Sequence, residues 1–121
     1  MSILIKSAKI IDANSKFNGK NLDILITNGK IKEIAKNIPN SKAKHIITKK
    51  NLHVSAGWLD SSVCFGEPGL EERETLDNGA KTASLSGFTD IILNAVTDPF
   101  LDTKADVSYI KSKSSEFATN I

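Results

Sequence analysis

The fold of this chain is decided by one segment, residues 56–69, with the sequence AGWLDSSVCFGEPG. The first part of the segment, Gly57 to Phe65, has the length and apolar content of a β-strand. The second part, Gly66 to Gly69, contains glycine and proline and predicts a loop that ends this strand. The segment therefore predicts a strand whose last side chains lie next to a sharp change of chain direction.

The residues after this segment predict an alternation of helices and strands. Glu71 to Ser86 is predicted to be a helix with an acidic first turn, and Gly87 is well placed to end it. Phe88 to Leu93 is predicted to be a compact apolar strand, and a last helix is predicted from about Lys104. The order strand, helix, strand, helix indicates βαβ units with a parallel sheet.

Each predicted helix has a further signal in its sequence. The first helix has small or apolar residues at the spacing i, i+3, i+4 and i+7, which gives one apolar face: Leu76, Gly79, Ala80 and Ala83. In the second helix, Thr103 and Asp106 can form a capping box. This helix is predicted to bury Val107, Ile110 and Phe117.

The first 55 residues are predicted to form short strands. Ser2 to Ile11 is rich in isoleucine, and His45 to Thr48 is a shorter candidate. Leu22 to Thr27 and Lys30 to Ala35 flank Asn28-Gly29, the strongest short-range signal for a β-hairpin, because both turn residues tolerate positive φ. The same pattern of short strands is also expected of a small β module unrelated to any larger fold, so this alternative interpretation of residues 1–55 stays open.

Composition and charge exclude several classes of protein. A chain of 121 residues with 40% apolar and 25% charged residues is typical of a modest soluble domain. The net charge is +2, from 16 basic and 14 acidic residues, and the lysines are dispersed, so neither nucleic acid nor a membrane surface is expected as a partner. The first residues lack the pattern of a signal peptide. The single cysteine fits a reducing cytosol, and we expect a cytoplasmic protein.

The segment 56–69 resembles the opening signature of dihydroorotases and allantoinases, which are cyclic amidases of the amidohydrolase superfamily. That signature has Pro-Gly, two apolar residues, Asp, a spacer, His-x-His, an aromatic residue and Arg-Glu-Pro-Gly. A second stretch, residues 87–99, resembles the Gly-Phe-Thr strand of the family, which leads into Met-Pro-Asn-Thr-x-Pro. The resemblance covers about residues 2–102. It implies the start of an amidohydrolase-type (β/α)8 TIM barrel, preceded by the N-terminal part of a small β-sandwich.

Three side chains of the first segment are spaced two positions apart. Asp60, Ser62 and Cys64 are therefore predicted to point the same way, near the end of the strand where barrel enzymes place their active sites. In the family, the positions of Ser62 and Cys64 are histidines that bind zinc, which activates water and polarises the scissile carbonyl. A serine hydroxyl is a poor zinc ligand. Cys64 is expected to be a buried, inert thiol rather than a ligand.

Two substrate positions of the family are also changed. The arginine that is expected to hold the substrate carboxylate corresponds to Gly66, and the asparagine of the second motif corresponds to Val96. Glycine has no side-chain donor, and valine can neither donate nor accept a hydrogen bond. We therefore expect no catalytic residue, metal ligand or substrate-binding residue in this chain and no cofactor, although active family members carry zinc.

The residues that shape the backbone match the family signature. The matching scaffold consists of Asp60, Glu67, Pro68 and Gly69, and Asp60 is expected to form hydrogen bonds with the neighbouring backbone. The acidic residues at positions 67, 71, 72 and 74 are expected to form a solvated helix start: Glu67, Glu71, Glu72 and Glu74. His45 and His53 are expected to be surface or packing residues. No chemistry is assigned to either group.

The predicted organisation is that of an incomplete α/β protein. Residues 1–55 are expected to be the β-sandwich portion, and residues 56–121 the first βαβα segment of a barrel. A complete barrel needs about 250 residues. Two parallel strands with two helices leave the edges of their sheet open, so the chain is expected to be a fragment of a larger assembly.

Three functions are compatible with the sequence. The favoured one is a dihydroorotase-like protein of pyrimidine biosynthesis that lacks zinc hydrolysis and acts as a structural or regulatory partner. The resemblance implies aspartate transcarbamoylase as that partner, and a second copy of the chain is the other candidate. The alternative is an active metal-dependent amidohydrolase that uses Cys64 and ligands beyond residue 121 to hydrolyse dihydroorotate to carbamoyl aspartate. The third is an unrelated, free-standing β/α binding protein.

Overall fold

The computed structural model describes residues 1–121 and divides them into two units, residues 1–56 and residues 57–121. The sequence places a domain boundary between residues 55 and 56, close to this division. None of the helices is long and apolar enough to cross a lipid bilayer.

The first unit is a five-stranded sheet organised around its long first strand. In chain order, its strands are β1 (Ser2–Ile11), β2 (Asn21–Thr27), β3 (Lys30–Ala35), β4 (His45–Ile47) and β5 (His53–Ser55). β2 pairs antiparallel with both β1 and β3, whereas β4 and β5 pair parallel with different parts of β1. The strands predicted in this region are confirmed. The sequence missed β5, which contains one apolar residue, Val54, whereas β4 has the same length but contains two isoleucines.

The hairpin between β2 and β3 forms at the predicted turn. Asn28 and Gly29 have φ angles of +51° and +74°, the left-handed region that the tight hairpin turn requires of both central residues. Thr27 and Lys30 pair across the turn. This prediction is confirmed, and its cause is local, since the two turn residues fix the register of the hairpin.

A buried carboxylate ties together three parts of the first unit. Asp23 is only 2% exposed. Its carboxylate accepts hydrogen bonds from the backbone N–H groups of Ser7, at 2.8 Å, and Ile38, at 2.9 Å, and from the ammonium group of Lys6. Burial by itself raises the pKa of Asp23, but the bonds from Lys6, Ile38 and Ser7 outweigh it, so the pKa lies below its ordinary value. The carboxylate is therefore held in its charged form.

The second unit is a βαβα segment. Its elements are β6 (Trp58–Val63), α1 (Leu76–Leu85), β7 (Phe88–Leu93) and α2 (Lys104–Lys113), and β6 and β7 pair in parallel. The predicted order and the parallel pairing are confirmed. Two strands do not make a barrel, so the (β/α)8 barrel stays a prediction.

The helix α1 begins later than the sequence suggests. It starts at Leu76 rather than Glu71, because the hydroxyl of Thr75 accepts a hydrogen bond from the N–H of Asn78, at 3.2 Å, and caps the helix. The preceding residues form a loop, in which the N–H of Gly66 donates to the carbonyl of Glu74 at 2.9 Å. The helix ends before Gly87, which has the positive φ of +94° expected of a helix stop.

The core of the second unit lies between the sheet and the two helices. Its buried members are Phe65, Leu76, Ile91 and Ile110. On α1, Leu76, Gly79 and Ala80 are buried and Ala83 is half-buried, so the predicted apolar face is confirmed. A Cβ atom at Gly79 would lie 2.4 Å from the ring of Phe65. Only glycine lets the helix approach the aromatic ring this closely.

The capping box of α2 is present, but the burial of this helix differs in part from the prediction. Thr103 and Asp106 exchange the two predicted hydrogen bonds. Ile110 is buried and Phe117 packs against the core while half-buried, but Val107 is 57% exposed. The prediction for Val107 is wrong because this side chain lies over an open groove beside β7 rather than on the core.

We expect the substitution Thr103→Ala to lower the free energy of unfolding of the second unit by about 1 kcal/mol, because it removes the cap from the α2 N-terminus. Ser108→Ala in the middle of the same helix is the matched control and is expected to be nearly neutral. Urea unfolding followed by helical circular dichroism measures both variants. Equal stability of the two variants would contradict the role of the cap.

Candidate metal and substrate positions at the end of strand β6

A β-bulge changes the directions of the side chains at the end of β6. Asp60 pairs with Ile91 and Val63 pairs with Leu93, so three steps along β6 correspond to two steps along β7. One extra residue therefore lies in β6 between Asp60 and Val63, and it reverses the alternation of side chains.

Because of the bulge, Asp60 does not point the same way as Ser62 and Cys64. Asp60 lines a small cavity beside α1 together with Val63 and Phe65. The prediction that the three polar side chains share one face is therefore wrong for Asp60. The carboxylate oxygen Oδ1 of Asp60 accepts a hydrogen bond from the N–H of Ser62 at 3.0 Å, which is the backbone-supporting contact predicted for this residue.

Ser62 and Cys64 lie at the end of β6 next to the end of β7. Both residues are exposed. The hydroxyl of Ser62 accepts a hydrogen bond from the side-chain amide of Asn94 at 3.1 Å. The Sγ atom of Cys64 lies 4.0 Å from the backbone carbonyl of Val96. The predicted burial of the Cys64 thiol is wrong, because its neighbour Phe65 turns into the core and leaves Cys64 on the opposite side.

The position of Gly66 has no room for a side chain. Gly66 is buried, and a Cβ atom there would lie 1.8 Å from the carbonyl oxygen of Leu70. The same carbonyl belongs to a turn in which the N–H of Leu70 donates to the carbonyl of Gly66 at 2.9 Å. An arginine at this position would require a different path of the loop. Val96, at the other substrate position of the resemblance, is 48% exposed.

The donor groups at the end of β6 do not fit a zinc centre that is built on two imidazoles. Ser62 offers a hydroxyl that is already bonded to Asn94, and Cys64 offers one thiol. Asp60, the nearest carboxylate on the strand, faces the cavity beside α1. No group of three or more His, Cys, Asp or Glu side chains is close enough together to hold a metal ion. His45 and His53 are exposed residues of the first unit.

Glu67 is buried, and the prediction that it belongs to a solvated acidic cluster is wrong. The residue is 4% exposed. Its Oε2 atom accepts a hydrogen bond from the N–H of Leu76 at 2.8 Å, at the start of α1. Its Oε1 atom accepts from the hydroxyl of Tyr109 at 3.2 Å and from the ammonium group of Lys113, both on α2. Glu67 thus joins the loop after β6 to both helices.

The rest of the acidic cluster behaves differently. Glu71 and Glu72 are exposed, as predicted, and Glu74 is half-buried. The N–H of Gly69 donates to the carboxylate of Glu71 at 2.9 Å, and this bond lowers the pKa of Glu71. The sequence gives no direct sign that Glu67 differs from its neighbours, because its partners on α2 are more than 40 residues away.

Pro68 and Gly69 fix the other side of the same loop. The carbonyl of Pro68 accepts a hydrogen bond from the N–H of Asp98 at 3.2 Å. Gly69 has a φ of +93°, and a Cβ atom there would lie 1.6 Å from the carbonyl oxygen of Asp98. The loop after β6 is therefore packed against the loop after β7, and glycine is needed at the point of contact.

Comparisons with known proteins identify relatives along nearly the whole chain. No protein-family model matches. The chain is 34% identical over 119 residues to a dihydroorotase from Clostridioides difficile (strain 630), a match that covers 98% of this chain and 28% of that protein. It is 40% identical over 103 residues to a dihydroorotase from Lactococcus lactis subsp. lactis (strain IL1403), covering 85% of this chain and 24% of that protein. The chain therefore spans about a quarter of the length of these relatives.

Solved structures share the fold. An L-hydantoinase (dihydropyrimidinase) from Arthrobacter aurescens matches with a TM-score of 0.72 and 20% identity, covering 94% of this chain and 25% of that chain. A D-hydantoinase matches with a TM-score of 0.65 and 20% identity, covering 94% of this chain and 24% of that chain. At this level of identity, the likeness concerns the fold alone.

Proposed function

We propose that this chain, a dihydroorotase-like sequence, belongs to a protein of pyrimidine biosynthesis that has lost zinc-dependent hydrolysis. In this proposal, the protein acts as a structural or regulatory partner in an assembly. One observation carries the proposal: the end of β6 presents the hydroxyl of Ser62 and the thiol of Cys64 where hydrolysis requires two imidazoles.

The loss of the arginine position supports the same proposal. Hydrogen bonds to a charged group contribute about 1.5–3 kcal/mol each, so a missing bidentate pair would weaken substrate binding by orders of magnitude. A Cβ atom at position 66 would collide with the carbonyl of Leu70, so a side chain at this position could restore the contact only if the turn moved. Metal binding and substrate binding are therefore both weakened, while Glu67, Pro68 and Gly69 keep the loop in place.

The surface of the second unit supports a role in assembly. Several large apolar side chains of this unit are more than half exposed: Trp58, Leu59, Ile92 and Phe100. Burial of such side chains against another protein would remove apolar surface from water, which is compatible with a role in assembly. Aspartate transcarbamoylase is the partner we propose, and a second copy of this chain is the other candidate. Co-elution of the purified protein with aspartate transcarbamoylase on a sizing column tests this part of the proposal, and separate elution would contradict it.

We expect the purified protein, supplied with excess zinc and then desalted, to retain much less than one zinc ion per chain and to hydrolyse no dihydroorotate. Elemental analysis and an assay for carbamoyl aspartate measure the two properties. The dihydroorotase from Clostridioides difficile, treated in parallel, is the positive control. Stoichiometric zinc together with turnover would defeat the proposal.

The exposure of Cys64 favours one second candidate, an active amidohydrolase with an altered metal site. An accessible thiolate is a good zinc ligand. In that case, Cys64→Ala would abolish both zinc binding and activity, whereas Ser62→Ala would affect them less. If Cys64→Ala leaves the zinc content unchanged, this candidate fails.

A further inference from the structure

The nearly balanced charge of the chain hides an uneven distribution between its two units. Residues 1–56 contain 11 lysines, no arginine and 3 acidic residues, which gives a formal charge of +8. Residues 57–121 contain 5 basic and 11 acidic residues, which gives a formal charge of −6. The first unit therefore has a positive potential that attracts anions to its surface.

Part of this positive charge lines a cleft in the first unit, which we call the lysine cleft. It has a volume of about 450 Å³, which is within the range of sites for small molecules. The cleft lies beside β1 where residues 48–52 connect β4 to β5, and its charged lining consists of Lys9, Lys49, Lys50 and the ionisable ring of His53. No acidic side chain lines it.

The floor of the lysine cleft is a row of three side chains on three neighbouring strands. Lys9 on β1 pairs with Asn21 on β2 and with His53 on β5. Residues that lie opposite each other on paired strands point to the same face of a sheet. Lys9 is exposed, whereas its two neighbours in sequence are buried, so this row faces the solvent. An ammonium group thus lies between a side-chain amide and an imidazole.

The connection between β4 and β5 is anchored to this floor by two hydrogen bonds. The N–H of Lys9 donates to the carbonyl of Leu52 at 2.8 Å. The Nδ1 atom of His53 lies 2.8 Å from the carbonyl oxygen of Asn51 and donates to it, because a carbonyl can only accept. The segment that carries Lys49 and Lys50 is therefore fixed beside the row of polar side chains.

The three lysines of the cleft are not the ones that form the ion pairs of the chain. Those pairs are made by Lys6, Lys42 and Lys113. Asp23 accepts a hydrogen bond from the N–H of Ser7 at the edge of the cleft, but Lys6 compensates its charge. The cleft thus combines three ammonium groups whose mutual repulsion an anion with more than one charge would relieve.

The type of cation favours phosphate over carboxylate. Carboxylates are typically held by the planar fork of arginine, which forms two parallel hydrogen bonds, and the first unit contains no arginine. Lysine is a common phosphate ligand that acts as a point charge and can turn its three donors towards different oxygens.

We propose that the lysine cleft binds a small phosphorylated metabolite that carries at least two negative charges. Lys9, Lys49 and Lys50 hold the phosphate oxygens, and the amide of Asn21 and the ring of His53 supply further polar contacts. This inference goes beyond the proposed function and does not depend on whether the protein hydrolyses a substrate.

A titration with inorganic pyrophosphate, followed by the amide resonances of the protein, tests the proposal. We expect saturation at one site per chain in about 0.15 M salt, with the largest shifts at Lys9, Lys50 and His53. Replacing Lys49 and Lys50 together by glutamine should weaken binding at least about tenfold. Succinate, a dicarboxylate of similar size, should bind the original chain at least about tenfold more weakly than pyrophosphate.

The matched control replaces Lys32 and Lys36 together by glutamine. Both residues are exposed in the first unit and lie outside the cleft, so this variant has the same change in net charge and should bind pyrophosphate within about twofold of the original chain. Equal weakening by both double variants, equal affinity for succinate, or no saturation by pyrophosphate would overturn the proposal. It also fails if a short DNA duplex displaces pyrophosphate and shifts the resonances of lysines throughout the unit, since the basic surface would then bind nucleic acid.

Discussion

Replacing Glu67 by alanine is expected to lower the free energy of unfolding of the second unit by about 3 kcal/mol. The carboxylate is buried, and it is the acceptor for the N–H of Leu76, the hydroxyl of Tyr109 and the ammonium group of Lys113. Alanine leaves all three donors without this acceptor. The loss of a partner for buried polar and charged groups is among the most destabilising effects of a single substitution.

The measurement for Glu67 uses the single tryptophan of the chain, Trp58, which lies in the second unit. Urea unfolding followed by its fluorescence therefore reports on this unit. Glu72→Ala, an exposed acid of the same loop, is the control and is expected to change stability by less than about 0.5 kcal/mol. If Glu67→Ala were as mild as Glu72→Ala, the buried network would have no role in stability.

The second large effect is expected for Asp23→Asn, which should lower the free energy of unfolding of the first unit by about 3 kcal/mol at pH 7. The substitution removes the charge that faces Lys6, whose side chain is only 27% exposed. It also replaces one of the two carboxylate oxygens that accept the N–H groups of Ser7 and Ile38. A surface pair in the same unit, Lys42 and Glu33, provides the contrast.

The effect of Asp23→Asn should depend on pH in a defined direction. The pKa of Asp23 in the folded chain is lowered from its ordinary value of 3.8. Its stabilising contribution is therefore complete above pH 3.8 and is lost as the pH falls through the lower, folded pKa. The difference in stability between the original chain and Asp23→Asn should be largest near neutral pH and shrink at strongly acidic pH.

Amide hydrogen exchange in β2 measures this difference, because the first unit contains neither the tryptophan nor the tyrosine of the chain. Glu33→Gln is the matched control. Its ion pair with Lys42 is exposed, at 37% and 46% of the two side chains, so its loss is expected to cost less than about 1 kcal/mol. A difference for Asp23→Asn that does not change with pH would show that the charge of Asp23 is not what stabilises the unit.

The features predicted correctly from the sequence are those with local causes. The turn at Asn28-Gly29 depends on two adjacent residues, and the capping box on Thr103 and Asp106 depends on residues three positions apart. The strand and helix order of the second unit follows from hydrophobic period and from Gly87. Each of these signals is contained in a few consecutive residues, so the sequence was sufficient to find it.

The features that the sequence missed depend on contacts between distant residues. The burial of Glu67 is set by Tyr109 and Lys113, which reach it only after the chain has folded back. The bulge in β6 is a property of its pairing with β7, and strict alternation along β6 cannot reveal it. For this reason the orientation of Asp60 was predicted wrongly. The residue types at the candidate site could be identified from the sequence, but their geometry could not.

The bulge in β6 and the turn of Phe65 into the core leave one thiol, that of Cys64, exposed on the surface of residues 57–121. A maleimide dye or a nitroxide spin label would therefore attach at one known place, beside the ends of both parallel strands. The rate at which Cys64 is labelled, compared between the free protein and a complex, would report whether another macromolecule covers this residue. Cys64, which occupies a metal-ligand position of the resembling hydrolases, is thus a suitable attachment point for a spectroscopic probe of assembly.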